Sequence, residues 1–145
     1  NLTLQKDFEQ RLKEALNQYH NHNLSVVEIL DELFKMSQDF QERLALGKKL
    51  GLTKEELAFY EALSQNQSAK DLMGDEVLSK LAKEITETLR KSVTIDWQYK
   101  EAVRAKMRIL VKRALQRYKY PPDQAEGAVE YVLKQAEEIA DELSA

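Results

Sequence analysis

Cysteine is absent from the 145-residue chain, which excludes disulfides and thiolate metal sites and is compatible with a reducing cytoplasm. Glycine occurs four times and proline twice, too little turn punctuation for the many short connections of an all-β fold. No apolar run exceeds Leu57-Ala58-Phe59-Tyr60, far below the roughly 18 residues of a membrane-spanning helix. The first residues carry no initiator Met, basic segment or apolar stretch of the secretory kind, so the chain reads as part of something longer. Neither sign of charge prevails: 22 basic against 25 acidic residues leave a net charge of −3. A chain-wide field for wrapping nucleic acid is therefore missing, and any DNA contact would be local.

The motifs of several chemistries are missing too. A restriction-type nuclease needs a carboxylate two residues before a lysine, the acids holding metal and the lysine polarising the attacked phosphate. No Asp or Glu stands two residues before a Lys here. The Gly47-Lys48 pair lacks both the earlier glycine and the following hydroxyl of a phosphate-cradling loop. His20 and His22 are the only histidines. A metal site would need a third ligand from elsewhere, and Tyr19-His20-Asn21-His22-Asn23 suits a solvated helix end instead. No catalytic, cofactor or metal residue is predicted within the chain.

What is present is helical periodicity. Leu4, Phe8, Leu12, Ala15, Leu16 and Tyr19 mark one face of a first helix. Ser25-Val26-Val27-Glu28 has the form of a capping box opening a long second helix with Ile29, Leu30, Leu33, Phe34, Leu44 and Leu50, which Gly51 is placed to stop. Thr53-Lys54-Glu55-Glu56 is a second capping box, ahead of Leu57, Tyr60 and Leu63. After the polar stretch 64–70, Asp75 can cap a fourth helix with Leu78, Leu81, Ala82, Ile85 and Leu89. Asp96 can cap a fifth with Val103, Met107, Leu110, Val111, Ala114 and Tyr118, ended by Tyr120-Pro121-Pro122-Asp123. A sixth carries Val129, Val132, Leu133, Ala136, Ile139, Ala140 and Leu143. The expectation is an all-α, multi-helix bundle of about six helices in one domain, 1–145. The stretch 64–70 would separate an N-terminal helical group, 1–63, from a C-terminal three-helix group, 71–145.

Three features invite a functional reading. Leu50 to Leu57 has the outline of a helix-turn-helix corner, but Lys54 against Glu55, Glu56 and Glu61 gives its second helix a charge that phosphates repel, which favours a plain helical hairpin. The fifth helix, 97–119, sets Lys100, Arg104, Lys106, Arg108, Lys112, Arg113, Arg117 and Lys119 against Glu101 alone. On a helical wheel Arg104, Arg108 and Lys112 edge its apolar face on one side, and Lys106, Arg113 and Arg117 on the other. Such a stripe could track phosphates or meet a protein partner. The next helix is nearly as acidic as this one is basic, so pairing between the two antiparallel neighbours is the more economical reading. Trp97, the sole tryptophan, reads as an anchor at a helix end rather than a stacking platform. Pro121 and Pro122 are the structural anchors of the corner.

The order of these segments resembles the C-terminal helical region of the R subunit of type I restriction enzymes, across nearly the whole chain. The segments that carry the likeness are Gly51-Leu52-Thr53 with Glu55-Glu56-Leu57-Ala58-Phe59-Tyr60, then Met73-Gly74-Asp75-Glu76, then Thr94-Ile95-Asp96-Trp97. The most specific is Val103-Arg104-Ala105-Lys106 with Leu110-Val111-Lys112-Arg113, leading to Tyr118-Lys119-Tyr120-Pro121-Pro122-Asp123 and Gln135-Ala136-Glu137. Lys119 departs from the pattern, which would put glycine between the tyrosines. The resemblance implies a parent subunit with a nuclease domain and two ATP-driven motor domains, using ATP and Mg, in a prokaryotic cytoplasm. It implies that this helical region is a non-catalytic docking element for the methyltransferase and specificity subunits. The rival reading is a helical arm that guides duplex DNA to the motor through the basic helix.

Overall fold

The computed structural model describes the backbone of residues 1–96, 100–121 and 125–144, and the side chains of these except 92–96, 100, 103, 125, 126 and 140–144. Six helices follow one another: α1 (Leu2–His20), α2 (Val26–Lys49), α3 (Lys54–Ser64), α4 (Gln67–Asp96), α5 (Lys100–Arg117) and α6 (Ala125–Ser144), with no strand among the described residues. The all-α expectation holds. Both capping boxes form, Ser25 with Glu28 and Thr53 with Glu56 each exchanging side-chain and backbone hydrogen bonds. These satisfy donors that a helix start leaves without a partner.

Three helices end in the same way, with a residue in the left-handed region and paired backward hydrogen bonds. Gly51 (φ 71°) closes α2, its N–H bonding the Lys48 carbonyl while the Leu52 N–H bonds that of Gly47. His22 (φ 59°) closes α1 by the same pair of bonds, from His22 to Tyr19 and from Asn23 to Gln18. At the end of α5, Lys119 (φ 57°) bonds Gln116, and Tyr120 bonds Leu115. The expected glycine position is thus the one position among the described residues of this corner with left-handed backbone. Lysine occupies it at a cost of about 1 kcal/mol that glycine would avoid.

Two boundaries differ from the sequence reading. Helical backbone resumes at Gln67, inside the polar stretch, and the break falls at Gly74 (φ 76°, ψ 165°), one residue before the expected cap. The Asp75 carboxylate accepts the Tyr60 hydroxyl instead, at 2.5 Å. Asp96 is the last residue of α4 rather than the start of α5.

The core is built around α3. Every residue from Leu57 to Leu63 is buried, the pattern of a helix enclosed on all sides. Leu78, Leu81, Ala82, Ile85 and Leu89 of α4, Met107, Val111 and Leu115 of α5, and Val129, Val132 and Leu133 of α6 close round it in one cluster. Tyr120 donates to the Leu63 carbonyl at 2.9 Å, joining the α5 corner to the end of α3. Burial pushes the Tyr120 phenol above its ordinary pKa.

α1 lies across α3, and α2 packs chiefly on α1, so α2 is the outermost layer. Polar links hold this hairpin to the core, among them two with partly buried groups. The N–H of Leu2 donates to the buried Gln135 side chain at 2.6 Å, satisfying an orphan donor at the α1 start. Arg43 of α2 reaches both Glu61 of α3, at 2.5 and 3.3 Å, and Asp7 of α1, at 2.9 Å. Burial opposes the Arg43 charge, but the Glu61 and Asp7 carboxylates outweigh it and raise the pKa above its ordinary value. Gly47 lets α2 approach α3: a Cβ there would stand 2.8 Å from Leu57 Cδ2.

Candidate functional site

The basic helix divides into paired and unpaired cations. Arg104 bonds Glu137 at 2.9 Å, and Arg108 bonds Glu130, both across the α5–α6 contact. Arg117 turns the other way and bonds Glu84 of α4. The same Glu84, after burial, raises the Tyr118 phenol above its ordinary pKa. Lys106, Lys112 and Arg113 are exposed and make no ion pair with the described residues. They surround Ile109, which is 52% exposed, on the solvent side of α5. Exposed pairs contribute about 0–1 kcal/mol each; their effect is to fix the rotation of α5 against α4 and α6. Of the six cations predicted to form a stripe, three are paired and three make no ion pair with the described residues.

Pro121 is buried beside Tyr120. Trp97 and Pro122 lie outside the described residues. His20 and His22 are exposed at the α1 end, where the His22 backbone closes the turn. The helix-turn-helix outline is geometrically excluded as a DNA reader. α3, which would have to enter the major groove, is the most enclosed helix of the domain.

One uncovered feature among the described residues is apolar and was not singled out from the sequence. α1 and α2 form a hairpin whose outer side leaves Phe8, Leu16, Tyr19, Val26, Val27, Leu30, Phe34, Phe40 and Leu44 exposed. Along α2 the exposed positions 26, 30, 34, 37, 41 and 44 follow helical spacing and include no charge. Between the helices runs a groove of about 840 Å³, floored by Leu4, Leu12 and Leu57 and walled by the edge-to-face pair Phe8 and Phe40, 6.4 Å between ring centres. At one end stand Lys48 and Lys54. The signal was present in the sequence: α2 has apolar residues over a wider arc than one neighbouring helix can cover. Only the position of α2 as the outer layer separates the buried arc, Ile29 and Met36, from the exposed one.

Among the described residues no group of three or more His, Cys, Asp or Glu side chains is gathered in a way that could hold a metal ion, and no helix is long and apolar enough to cross a membrane.

Comparison with known proteins gives the setting. The family profile described as "Type I restriction enzyme HindI endonuclease subunit-like, C-terminal" matches residues 1–142. The type I restriction enzyme HindI endonuclease subunit of Haemophilus influenzae is 90% identical over 144 residues, which are 99% of this chain and 14% of that protein. The putative type I restriction enzyme MjaIXP endonuclease subunit of Methanocaldococcus jannaschii is 31% identical over 119 residues, 78% of this chain and 11% of that protein. The chain thus spans about a seventh of the length of the first of these relatives. No solved structure matches. A six-helix fold and a family match over nearly its whole length lead to one conclusion: the chain belongs to the C-terminal domain family of type I restriction endonuclease subunits of the HindI kind.

Proposed function

We propose that this domain is the assembly module of its restriction subunit, docking an ATP-dependent DNA translocase and endonuclease onto a methyltransferase and specificity core. ATP and Mg would serve the parent subunit's motor and nuclease regions, and this domain would be non-catalytic. The observation that carries the reading is the uncovered apolar face of the α1–α2 hairpin on an otherwise well-packed domain. Contiguous apolar surface on a soluble domain marks an interaction site. Deleting the domain from the HindI endonuclease subunit should leave the remainder folded, because a unit of this size with its own core folds independently. It should abolish co-elution with the methyltransferase and specificity subunits. Full co-elution of the deletion variant would refute the docking role.

A second reading rests on Lys106, Lys112 and Arg113, the cations of α5 without a partner among the described residues. They would touch the backbone of duplex DNA on its way to the motor. Three phosphate contacts predict a salt dependence with a log–log slope of roughly −3. Titration of a labelled nonspecific duplex with the isolated domain across salt concentrations tests it, and absence of binding at low salt removes it.

A further inference from the structure

Burial divides the chain unevenly. Every buried member of the apolar cluster lies between Leu57 and Ile139, on α3, α4, α5, α6 and the corner at Tyr120. The eleven residues of α3 bury six apolar side chains. α1 and α2, nineteen and twenty-four residues long, bury four between them: Leu4, Ala15, Ile29 and Met36. Helices in water owe most of their stability to packing of an apolar face, so the hairpin is held far less firmly than the α3–α6 bundle.

What attaches the hairpin is gathered at its root. From α1 the contributors lie near its start: the Leu2 N–H on Gln135, Lys6 over the Tyr131 ring at 5.8 Å, and Asp7 beside Arg43. From α2 they lie near its end: Arg43 on Glu61, Leu46 and Leu50 against the apolar cluster, and Gly47 at Leu57. Farther out, Arg11 pairs with Asp39 and Phe8 with Phe40, both within the hairpin. The groove of about 840 Å³ parts Phe8, Leu12 and Phe40 from Thr53 and Lys54 at the α3 start. The connection to α3 passes through Gly51, left-handed at φ 71° and with nothing within 4 Å of a Cβ placed there.

We infer that α1 and α2 form a movable arm: the hairpin undocks from the α3–α6 bundle as one unit, turning about residues 50–53, while the bundle stays folded. Arg43 is the latch. Its guanidinium touches one carboxylate on the arm, Asp7, and one on the bundle, Glu61, so undocking breaks the second contact and keeps the first. It also leaves two helices supported only by each other. Helices stripped of their packing are marginal in water, so undocking opens their amides to exchange with solvent. The boundary of the arm falls between α2 and α3 rather than in the stretch 64–70, because α3 is the centre of the bundle core. This motion belongs to the 145-residue chain and does not depend on the assembly reading.

Native-state hydrogen exchange of the whole chain at neutral pH, read by mass spectrometry of peptic peptides and corrected for the intrinsic rate of each sequence, tests the arm. Peptides from 8–20 and 26–42 should exchange at least tenfold faster than those covering 57–63, 78–89 and 107–115, and should share one opening constant. Arg43→Met should accelerate the arm about a hundredfold, the loss expected when one partner of a largely buried pair is removed, and leave the bundle within about twofold. Leu81→Ala, in the bundle core, should do the reverse, accelerating the bundle at least tenfold with the arm unchanged. If circular dichroism finds Arg43→Met unfolded, Arg43→Lys takes its place: it keeps the charge but loses the fork that spans two carboxylates, and should accelerate the arm alone by a smaller factor.

Equal protection of arm and bundle overturns the inference, as does an Arg43 variant that speeds both alike. Unequal protection of α1 and α2 overturns it too, since the two helices would then open separately.

Discussion

Arg43→Met separates the hairpin from the core by a single change whose size follows from burial. In the wild type the guanidinium faces Glu61 at 2.5 Å and Asp7 at 2.9 Å, with the Glu61 side chain 7% exposed and that of Arg43 25% exposed. Removing one partner of a fully buried pair costs about 3–5 kcal/mol because the other charge is left uncompensated. Partial access of water to Arg43 and Asp7 puts the expected loss at the lower end, about 3 kcal/mol. For a domain of this size that lowers Tm by roughly 10 °C. Glu61→Gln keeps the shape and leaves Arg43 with Asp7, so its cost should be smaller, about 1–2 kcal/mol. The double change Arg43→Met/Glu61→Leu replaces the buried charges with apolar groups and should recover most of the loss. Urea denaturation followed at 222 nm, with a double-mutant cycle across the two positions, measures all three terms. An Arg43→Met variant within 1 kcal/mol of wild type refutes the role of Arg43 in holding the hairpin to the core. A double variant no better than the single one refutes the argument that the unpaired Glu61 is the source of the loss.

The left-handed Lys119 predicts that Lys119→Gly raises stability by about 0.5–1 kcal/mol, the relief of strain being partly offset by the greater freedom of glycine when unfolded. Thermal melts check this, and a fall in Tm would show that the corner gains more from the lysine side chain than its backbone loses. The Tyr60 phenol, buried and bonded to Asp75, is raised above its ordinary pKa of 10.0. A raised folded-state pKa contributes stability that is complete below pH 10 and lost as pH climbs above it, because ionisation is easier in the unfolded chain. Stability measured from pH 8 to 11 should therefore fall above pH 10, and less steeply in Tyr60→Phe. An equal slope in that variant would remove Tyr60 as a cause.

Locally specified features were legible in the sequence. The capping boxes at Ser25 and Thr53, the stop at Gly51 and the buried face of α4 each depend on residues within a few positions of one another. Hydrogen-bond geometry and 3.6-residue periodicity fix them before any tertiary contact exists. The Lys119 turn was visible as a departure from a pattern, but its reason, left-handed backbone, required the coordinates. Asp75 was misread as a cap because a carboxylate before a helical run suits that role equally well. Which donor it meets depends on Tyr60, fifteen residues away on another helix.

Sequence alone determined that the chain is helical, where most of its helices begin and end, and that it holds neither a carboxylate two residues before a lysine nor a phosphate-cradling glycine loop, since these follow from composition and short-range spacing. Tertiary structure alone decided which apolar residues are core and which are surface. Leu30 and Phe34 carry the same helical periodicity as Ile29 and Met36, yet α2 has neighbours on one side only, so one arc is buried and the other left open. It likewise decided how the cations divide: Arg104, Arg108 and Arg117 find carboxylates on α6 and α4, while Lys106, Lys112 and Arg113 make no ion pair with the described residues. Burial and pairing belong to the packing of helices distant in the chain, and a periodic pattern cannot say how many neighbours a helix will have.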